Sequence, residues 1–499
     1  MAWLYVPLIL VPILTRMMNQ KFHPYFLCLI FSALASCSSD KLSEELEIIT
    51  EPEVVDAPEV VISVTRIPEA VQRPGDAAAG EAYMFTGDYM SSGIPYDAWV
   101  FGNGEDNTNI LNRTGDNAII SYDNTAFTTK NGVKVVAPNC LNCHSSFIND
   151  TYVIGLGQHD GDYTVNRADN VPLLTSAINA LYGADSPEAM SYAQFSKSIS
   201  AIGPKTITKS RGVNPANKIT EVLISHRDKN TLEWQDEPLI DLSDEVIPAD
   251  VPAWWLLKKK NGLFYTGIGR MDFCKSFVGA SLLTIDGAEK AAEVDKKVED
   301  ILAYIYSLEA PEYPFEINTN LATQGKVVFE NTCSECHGTY GEQESYPNFL
   351  VALESIQTDP ALANQYNTPS EFNTYFLDWF NNGWFGTFGS PLELVPEGGY
   401  VAPPLDGIWA TAPYFHNGAV PTLMDVLDSK NRPAFWSRSF DSADYNKIKI
   451  GWNYTVETSQ ADKNTYNTKL KGYGNGGHIF GDVLSEEERL AVLEYLKTL

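Results

Sequence analysis

Two short stretches of this sequence repeat one arrangement of reactive side chains. Each has two cysteines separated by two residues and followed at once by a histidine, at Cys140–His144 and again at Cys333–His337. This C-x-x-C-H spacing is typical of c-type haem attachment, in which both thiols bond to the porphyrin and the adjacent imidazole binds the iron as its proximal ligand. The predicted attachment cysteines and proximal histidines are Cys140, Cys143, His144, Cys333, Cys336 and His337.

A C-x-x-C pair also occurs in redox-active dithiols and in zinc sites. Zinc ribbons separate their two pairs by about 15 to 20 residues, whereas most of a domain lies between the two pairs here. Haem attachment also explains why a histidine directly follows each pair. The sequence therefore predicts two covalently bound c-type haems.

The chain offers few further imidazoles that could bind the second axial position of a haem. Outside the two motifs and the N-terminal segment the histidines are His159, His226, His416 and His478. His478 follows Gly474, Gly476 and Gly477, and glycine lets the backbone approach a flat macrocycle closely. His226 has no such context and is interpreted as structural.

The composition indicates a globular protein with an acidic surface. The 499 residues are 44% hydrophobic and carry a formal net charge of −29. Charge repulsion therefore disfavours nucleic acid and anionic lipid surfaces as partners, and a charged redox partner is expected to be basic. Four of the seven cysteines serve the haem motifs, so no disulfide framework is expected. Cys274 is interpreted as a buried, inert thiol.

The N-terminus predicts export. Residues 1–36 contain two apolar runs, and neither reaches the roughly 18 to 20 residues that span a bilayer. Leu34-Ala35-Ser36-Cys37 resembles a bacterial lipoprotein cleavage box with Cys37 as the lipidated residue; a plain small-residue cleavage site is the alternative. The predicted location is the periplasm or cell envelope, with the lipid anchor as the membrane contact.

Three further segments are predicted after the cleavage site. Residues 37–80 are rich in Glu, Asp, Pro and Val and predict an acidic flexible tether, with an edge strand in the Val-rich part as the alternative. Residues 81–310 form an N-terminal haem domain that closes on an amphipathic helix over 294–308. Residues 311–499 form a C-terminal haem domain whose last helix begins with a capping box at Ser485–Glu488. The expected fold is mainly α, with two cytochrome c-like haem domains, long loops and a few short strands.

Residues 410–423, Ala-Thr-Ala-Pro-Tyr-Phe-His-Asn-Gly-Ala-Val-Pro-Thr-Leu, resemble the C-terminal signature of the di-haem cytochrome c peroxidase superfamily. Shorter strings at 112–117 (Asn-Arg-Thr-Gly-Asp-Asn), 252–255 (Pro-Ala-Trp-Trp) and 474–478 (Gly-Asn-Gly-Gly-His) resemble its rubber oxygenase branch. The resemblance extends over roughly residues 80–499. It implies that one haem keeps an open or displaceable position for peroxide or dioxygen, while the other has two protein ligands and moves electrons.

The resemblance also implies roles for single residues. A histidine in the matching string of the rubber oxygenases binds the C-terminal haem, which implies His478 as its distal ligand and His416 as a neighbour and fallback ligand. The peroxidases place a displaceable ligand close to where His159 lies, whereas the rubber oxygenases leave that site for oxygen. Distal ligand, acid–base residue and surface histidine all stay open for His159. The resemblance implies that Trp254 and Trp255 form an electron relay between the haems. Without the resemblance, the two residues would be interpreted as aromatic residues of the core.

The expected function is that of a di-haem c-type oxidoreductase of the cell envelope. It would bind peroxide or dioxygen at the N-terminal haem and exchange electrons with a redox protein or small donor through the other. An electron-carrier cytochrome with no substrate of its own is the alternative, and oxidation of a partner protein is a third possibility. Calcium binds near the domain interface in the peroxidase branch, but no carboxylate cluster in this sequence places it.

Overall fold

Helices provide most of the regular structure in the computed structural model, which describes residues 62–499. Strands are short, two to five residues each, so the expectation of a mainly α fold with a few short strands is confirmed. The helices of eight or more residues are Ala77–Thr86, Tyr96–Asn103, Val171–Tyr182, Pro187–Ile202, Ala216–Ser225, Ala288–Asp295, Val298–Ser307, Thr319–Thr332, Glu371–Asn381 and Glu486–Leu496. The predicted export segment and Cys37 lie outside the described residues.

The described chain begins in a folded segment rather than in a tether. Val64–Arg66 pairs antiparallel with Phe349–Ala352, and the Ala77–Thr86 helix starts before residue 80. Between these elements the Arg73 guanidinium lies 3.0 Å from a carboxylate oxygen of the buried Asp295. The predicted tether boundary at residue 80 is therefore too late, and Val64–Arg66 forms an edge strand.

The helix that precedes the second motif crosses the last helix at a glycine. Thr319–Thr332 packs on Glu486–Leu496, and a Cβ added to Gly325 would lie 1.8 Å from the Ala491 carbonyl oxygen. No larger residue fits this crossing without moving one helix. The capping box predicted at the start of the last helix is present, with both of its reciprocal hydrogen bonds.

A second helix pair in the N-terminal half crosses in the same way. Ala77–Thr86 packs on Val298–Ser307, and a Cβ on Gly80 would lie 1.8 Å from the Asp300 carbonyl oxygen. Each haem motif is thus accompanied by a pair of helices in backbone contact at a glycine.

The single helix predicted over 294–308 is two helices. The first ends at Asp295 and the second begins at Val298, because the intervening lysines leave helical geometry at Lys297, with φ −120° and ψ −13°. The predicted apolar face is nevertheless buried on both sides of the break, from Val294 to Ile305.

Small antiparallel sheets brace the long loops. The three-stranded sheets are Val64–Arg66 with Phe349–Ala352 and Gly399–Val401; Ile94–Pro95 with Lys134–Pro138 and Asn124–Thr128; and Thr455–Val456 with Phe435–Ser437 and Thr465–Asn467. The two-stranded sheets are Ser145–Ile148 with Thr151–Ile154, Gly269–Met271 with Leu392–Leu394, and Tyr445–Asn446 with Gly451–Trp452.

Two large hydrophobic clusters form the core, and adjacent tryptophans divide between them. Trp254 packs in the cluster that contains Leu141 of the first motif, whereas Trp255 packs in the cluster that contains Phe329 beside the second. Residues 366–394 also pack in the first cluster. The domain boundary at residue 310 stays a prediction. No helix within residues 62–499 is both long and apolar enough to cross a bilayer.

Candidate functional site

Both C-x-x-C-H motifs fold into the same single turn of helix. The His144 amide donates to the Cys140 carbonyl at 3.1 Å, and the His337 amide donates to the Cys333 carbonyl at 3.0 Å. In each motif the second cysteine amide also donates to the carbonyl of the first. The turn brings two free thiols and an imidazole together, which is the donor set that covalent haem requires.

A large, mainly apolar cavity lies beside the second motif. Its wall includes both motif thiols and the imidazole of His337, and His478 contributes to the same wall from 141 residues further along the chain. Tyr400, Phe415, His416 and the C-terminal helix complete much of the lining. The structure therefore brings together the residues that the sequence assigned to the C-terminal haem.

The imidazole rings of His337 and His478 lie close together in this cavity. Their ring centroids are 6.2 Å apart, with the planes at 56°. Metal–imidazole bonds of about 2 Å on each side of one metal would separate the centroids by about 6 Å. The spacing of this pair therefore fits one iron between the two rings.

Hydrogen bonding prepares the two rings for that role. Nδ1 of His337 donates to the Pro403 carbonyl at 2.8 Å, which leaves Nε2 as the free nitrogen and fixes the ring orientation. Burial lowers the pKa of His337, and burial together with His337 and Arg432 lowers the pKa of His478 to about 3. Both imidazoles are therefore neutral at neutral pH, which is the state that binds a metal.

His416 lies in the same cavity, as expected for a neighbour of the C-terminal haem. Its ring stacks on Tyr400 with centroids 4.0 Å apart and planes at 15°. Nε2 is buried without a hydrogen-bond partner, and burial lowers the pKa of this histidine to about 3. His416 thus retains a free nitrogen for a group in the cavity.

The cavity also contains ionisable groups that the sequence did not reveal. Lys260 is the single lysine or arginine in the described lining; its Nζ donates to the neutral Phe264 carbonyl at 3.0 Å, and burial lowers its pKa to about 8. Asp250 accepts a hydrogen bond from the Tyr265 hydroxyl at 2.5 Å, and burial raises its pKa to about 7. Both groups lie in residues 250–265, far in sequence from the second motif and His478, so no local pattern marks them as cavity residues.

The first motif has a different environment. The ring of His144 stacks on the Trp254 indole, with centroids 4.4 Å apart and planes at 16°. Nδ1 of His144 is buried without a hydrogen-bond partner, and burial lowers the pKa of this imidazole to about 3. The side-chain amide of Asn214 donates to Sγ of Cys143 at 3.7 Å. Here too a neutral imidazole and two free thiols occupy one turn of chain.

His159 is a buried residue whose two ring nitrogens are both engaged. Its side chain is 4% exposed, so the interpretation as a surface histidine is wrong. Nε2 lies 3.1 Å from the Phe147 carbonyl oxygen, an acceptor, and Nδ1 lies 3.2 Å from a guanidinium nitrogen of Arg438. The proton must therefore be on Nε2, while Nδ1 accepts from the arginine. Neither nitrogen is left to bind an iron in this arrangement.

The tryptophan pair connects the surroundings of the two motifs. Trp254 contacts His144, while Nε1 of the adjacent Trp255 donates to the Asp406 carbonyl at 2.8 Å. Asp406 is three residues from Pro403, whose carbonyl accepts the hydrogen bond from His337. Both indoles are buried. A short run of contacts thus links His144 to His337, although the two residues are far apart in sequence.

Several other candidate residues have structural surroundings. His226 stacks on Trp234 and hydrogen-bonds to the Gln235 carbonyl. Cys274 is fully buried, and burial raises its pKa to about 12. Within residues 62–499, no group of three His, Cys, Asp or Glu side chains is arranged to hold a metal ion, so the structure places no calcium.

Comparison with a known family supports the haem assignment. Residues 399–437 match the family described as "RoxA-like, cytochrome c-like". This segment contains Pro403, His416 and the whole signature string at 410–423. The match supports a cytochrome c-like family with haem as the cofactor, and it does not single out the rubber oxygenase branch.

Two curated relatives and one solved structure are also similar. The uncharacterized protein y4iJ of Sinorhizobium fredii is 30% identical, over 38% of this chain and 41% of its own length. The uncharacterized protein y4iM of the same organism is 24% identical, over 46% of this chain and 56% of its own length. The chain thus spans about half the length of these relatives. Hydrazine synthase from Kuenenia stuttgartiensis covers 56% of this chain and 85% of its own at 18% identity, with a TM-score of 0.26.

Proposed function

We propose that this chain is a di-haem c-type oxidoreductase of the cell envelope. Its N-terminal haem would be attached at Cys140–His144 and its C-terminal haem at Cys333–His337. The observation that carries the proposal is the pair of neutral imidazoles, His337 and His478, with centroids 6.2 Å apart in a cavity that both motif thiols reach. A haem with two protein ligands supports electron exchange, and one with an open position binds peroxide or dioxygen.

The chain's own residues would hold the C-terminal group and keep water away from it. The Pro403 carbonyl orients His337, while Phe415 and Phe480 flank the His478 ring with centroids 6.0 and 5.2 Å away. Lys260 brings a positive charge into the cavity and forms no ion pair within residues 62–499, and a haem propionate is an anion of suitable kind.

The N-terminal site is proposed as the open one, by elimination among the described residues. Both ring nitrogens of His159 contact other protein groups, and His226 is stacked on Trp234. His416 lines the cavity beside the second motif. No imidazole of residues 62–499 is then left for the distal side of the His144 haem. This favours the rubber-oxygenase-like arrangement, with the position left for oxygen, over a displaceable histidine.

Trp254 and Trp255 are proposed as the route for electrons between the haems. One indole stacks on the proximal histidine of the first motif, and the other bonds to the backbone three residues from the carbonyl that holds His337. Aromatic side chains along this line shorten the distance over which an electron must move.

Envelope location is part of the proposal and rests on residues 34–37. A fatty-acid analogue should label the wild type and leave Cys37→Ser unlabelled, with equal haem content in the two proteins. Equal labelling would show that Cys37 is not the anchor. With a net charge of −29, the redox partner is proposed to be a basic protein or a small donor.

Axial-ligand variants test the division of labour. His478→Ala should turn the C-terminal haem high-spin, or give it a replacement ligand, in the electron paramagnetic resonance spectrum, and should slow electron delivery. His159→Ala should leave the C-terminal haem unchanged. Carbon monoxide or cyanide should bind the wild type at one haem per chain. If neither ligand binds in any oxidation state, both irons are closed and the electron-carrier alternative is correct.

A further inference from the structure

One arginine connects the distal-ligand loop to the rest of the C-terminal site. The guanidinium of Arg432 donates five hydrogen bonds, and every acceptor is a main-chain carbonyl oxygen. The acceptors are those of Asp425 (2.8 Å), Val426 (2.9 Å), Asn475 (2.8 Å), Gly477 (2.6 Å) and His478 (3.0 Å). All five N–H groups of a guanidinium can therefore be used at once.

These acceptors belong to two separate segments. Asp425 and Val426 lie in the short Leu423–Leu427 helix, where the last carbonyls have no partner within the helix. The other three acceptors lie in the loop at 474–478, which has no regular secondary structure. Arg432 thus ties the loop that contains the predicted distal ligand to a helix that lines the same cavity.

The loop needs such support because its backbone is strained. His478 has a φ of +45°, a left-handed conformation that is unfavourable for a residue with a Cβ. Before it, Gly477 has a φ of +73°, and a Cβ there would lie 2.2 Å from the Gln357 carbonyl carbon. The His478 amide donates to the Ile356 carbonyl at 2.7 Å. The arginine therefore holds the carbonyl side of a residue whose amide is fixed by another element.

Lysine, the other long cationic side chain, could not make the same set of hydrogen bonds as Arg432. Lysine has three donors on a tetrahedral ammonium and cannot match a planar fork that reaches two segments. The Arg432 guanidinium carbon also lies 4.9 Å from the centre of the Phe415 ring, which itself flanks His478. The Arg432 guanidinium consequently contacts both the backbone of His478 and the Phe415 ring beside it.

We propose that Arg432 is a positioning residue that holds His478 against the C-terminal haem and thereby keeps that iron closed. The inference rests on the proposed function, since it presumes a haem at Cys333–His337. Without the guanidinium the strained loop would relax, His478 would leave the iron, and the site would open to external ligands.

The test uses the full-length holoprotein with Arg432→Lys and Arg432→Met. Both variants should retain two covalent haems, while the C-terminal low-spin signal falls and carbon monoxide binding rises from one towards two per chain. In Arg432→Lys the low-spin signal and the carbon monoxide binding should change in the same direction as in Arg432→Met. Lysine keeps the positive charge but lacks the planar set of five donors. Should Arg432→Met fail to fold, Arg432→Lys decides alone.

A nearby arginine provides a matched control. Arg489 also donates to main-chain carbonyls, those of Gly481 and Asp482, and pairs with Asp428, but it does not bond to the 474–478 loop. Arg489→Lys should keep the wild-type spectrum and one carbon monoxide per chain. An unchanged spectrum in both Arg432 variants would overturn the positioning role. If His478→Ala also leaves the spectrum unchanged, the proposed ligation itself fails, which separates the two ideas.

Discussion

The imidazole of His144 lies flat against the indole of Trp254, with ring centroids 4.4 Å apart and planes at 16°. Stacking of this kind fixes the orientation of both rings. The next residue, Trp255, donates to the Asp406 carbonyl, three residues from the Pro403 carbonyl that accepts from His337. The Trp254–Trp255 dipeptide therefore lies between the histidines of the two motifs. A structural role for these tryptophans and a role in electron movement make different predictions.

Replacing Trp254 by leucine should slow electron equilibration between the two haems, while both haems stay attached. We expect a decrease of roughly tenfold, equivalent to about 1.4 kcal/mol in the barrier, measured by rapid mixing of the half-reduced protein. Trp234→Leu is the control, because Trp234 also stacks on a histidine, His226, with centroids 4.6 Å apart. Equal rates of electron equilibration in the two variants would show that Trp254 has only a packing role.

Covalent attachment gives the most direct test of the haem assignment. The mass of the denatured mature protein should exceed that of the polypeptide by two haems, and the haems should survive acid acetone extraction. Cys333→Ala combined with Cys336→Ala should leave one haem, as should the matching pair of changes at Cys140 and Cys143. A mass equal to the bare polypeptide would refute the haem assignment as a whole.

Local patterns predicted the features that depend on neighbours in sequence. The C-x-x-C-H turns and the Ser485 capping box could be recognised because their hydrogen bonds join residues three or four positions apart. The break between Asp295 and Val298 could not, since the apolar spacing continues across it and periodicity does not register the departure from helical geometry at Lys297.

The support for the proposed distal ligand, His478, could not be predicted for a different reason. Arg432 and His478 are 46 residues apart, and a single arginine before a proline carries no signal of what it will bond to. Lys260 likewise enters the cavity from a loop distant from both Cys333 and His478. Glycines around His478 were visible in the sequence, but the reason for Gly477 appears only in its 2.2 Å approach to Gln357.

His159 should make stability depend on pH in a defined window. Burial, and then the neighbouring Arg438 charge, lower its folded-state pKa to about 4. Between that value and the usual value near 6.5, the unfolded chain binds more protons than the folded chain. The stabilisation from neutral His159 is therefore complete above about pH 6.5 and is lost as the pH falls towards 4, by on the order of 1 to 3 kcal/mol.

Denaturant unfolding of wild type and His159→Gln at several pH values measures this contribution. The difference in unfolding free energy between them should be constant above pH 6.5 and should shrink as the pH falls. A difference that does not vary with pH would mean that the pKa of His159 is the same in the folded and unfolded chains, as for an exposed imidazole.

Lys260 should raise the reduction potential of the proposed C-terminal haem. A cation in the cavity lining would disfavour the oxidised form of a haem held there, so Lys260→Met should lower the potential by about 60 mV for about 1.4 kcal/mol of lost interaction. Lys260→Arg should keep it. Lys258 serves as the control, because it pairs with Glu309 outside the cavity lining; Lys258→Met should leave the potential unchanged in spectroelectrochemical titration. A shift as large for Lys258 as for Lys260 would indicate a general charge effect.

The helix crossing at Gly325 should be intolerant of a single methyl group. A Cβ there would lie 1.8 Å from the Ala491 carbonyl oxygen, and because both atoms belong to helix backbones, relief requires the helices to separate. Gly325→Ala is therefore expected to lower the free energy of unfolding by about 3 kcal/mol, at the upper end of the cost of overpacking. The Thr319–Thr332 helix leads directly into Cys333, so the yield of protein with both haems should fall as well.

Gly279→Ala is the matched control for that change. Gly279 has a right-handed φ of −55°, and a Cβ there would meet no atom within 4 Å. Alanine at such a position is expected to be neutral or to stabilise by about 0.4 to 1 kcal/mol, because it restricts the unfolded chain. Denaturant unfolding of the two holoproteins gives the comparison. If Gly325→Ala is as stable as Gly279→Ala, the two helices are not in backbone contact at this crossing.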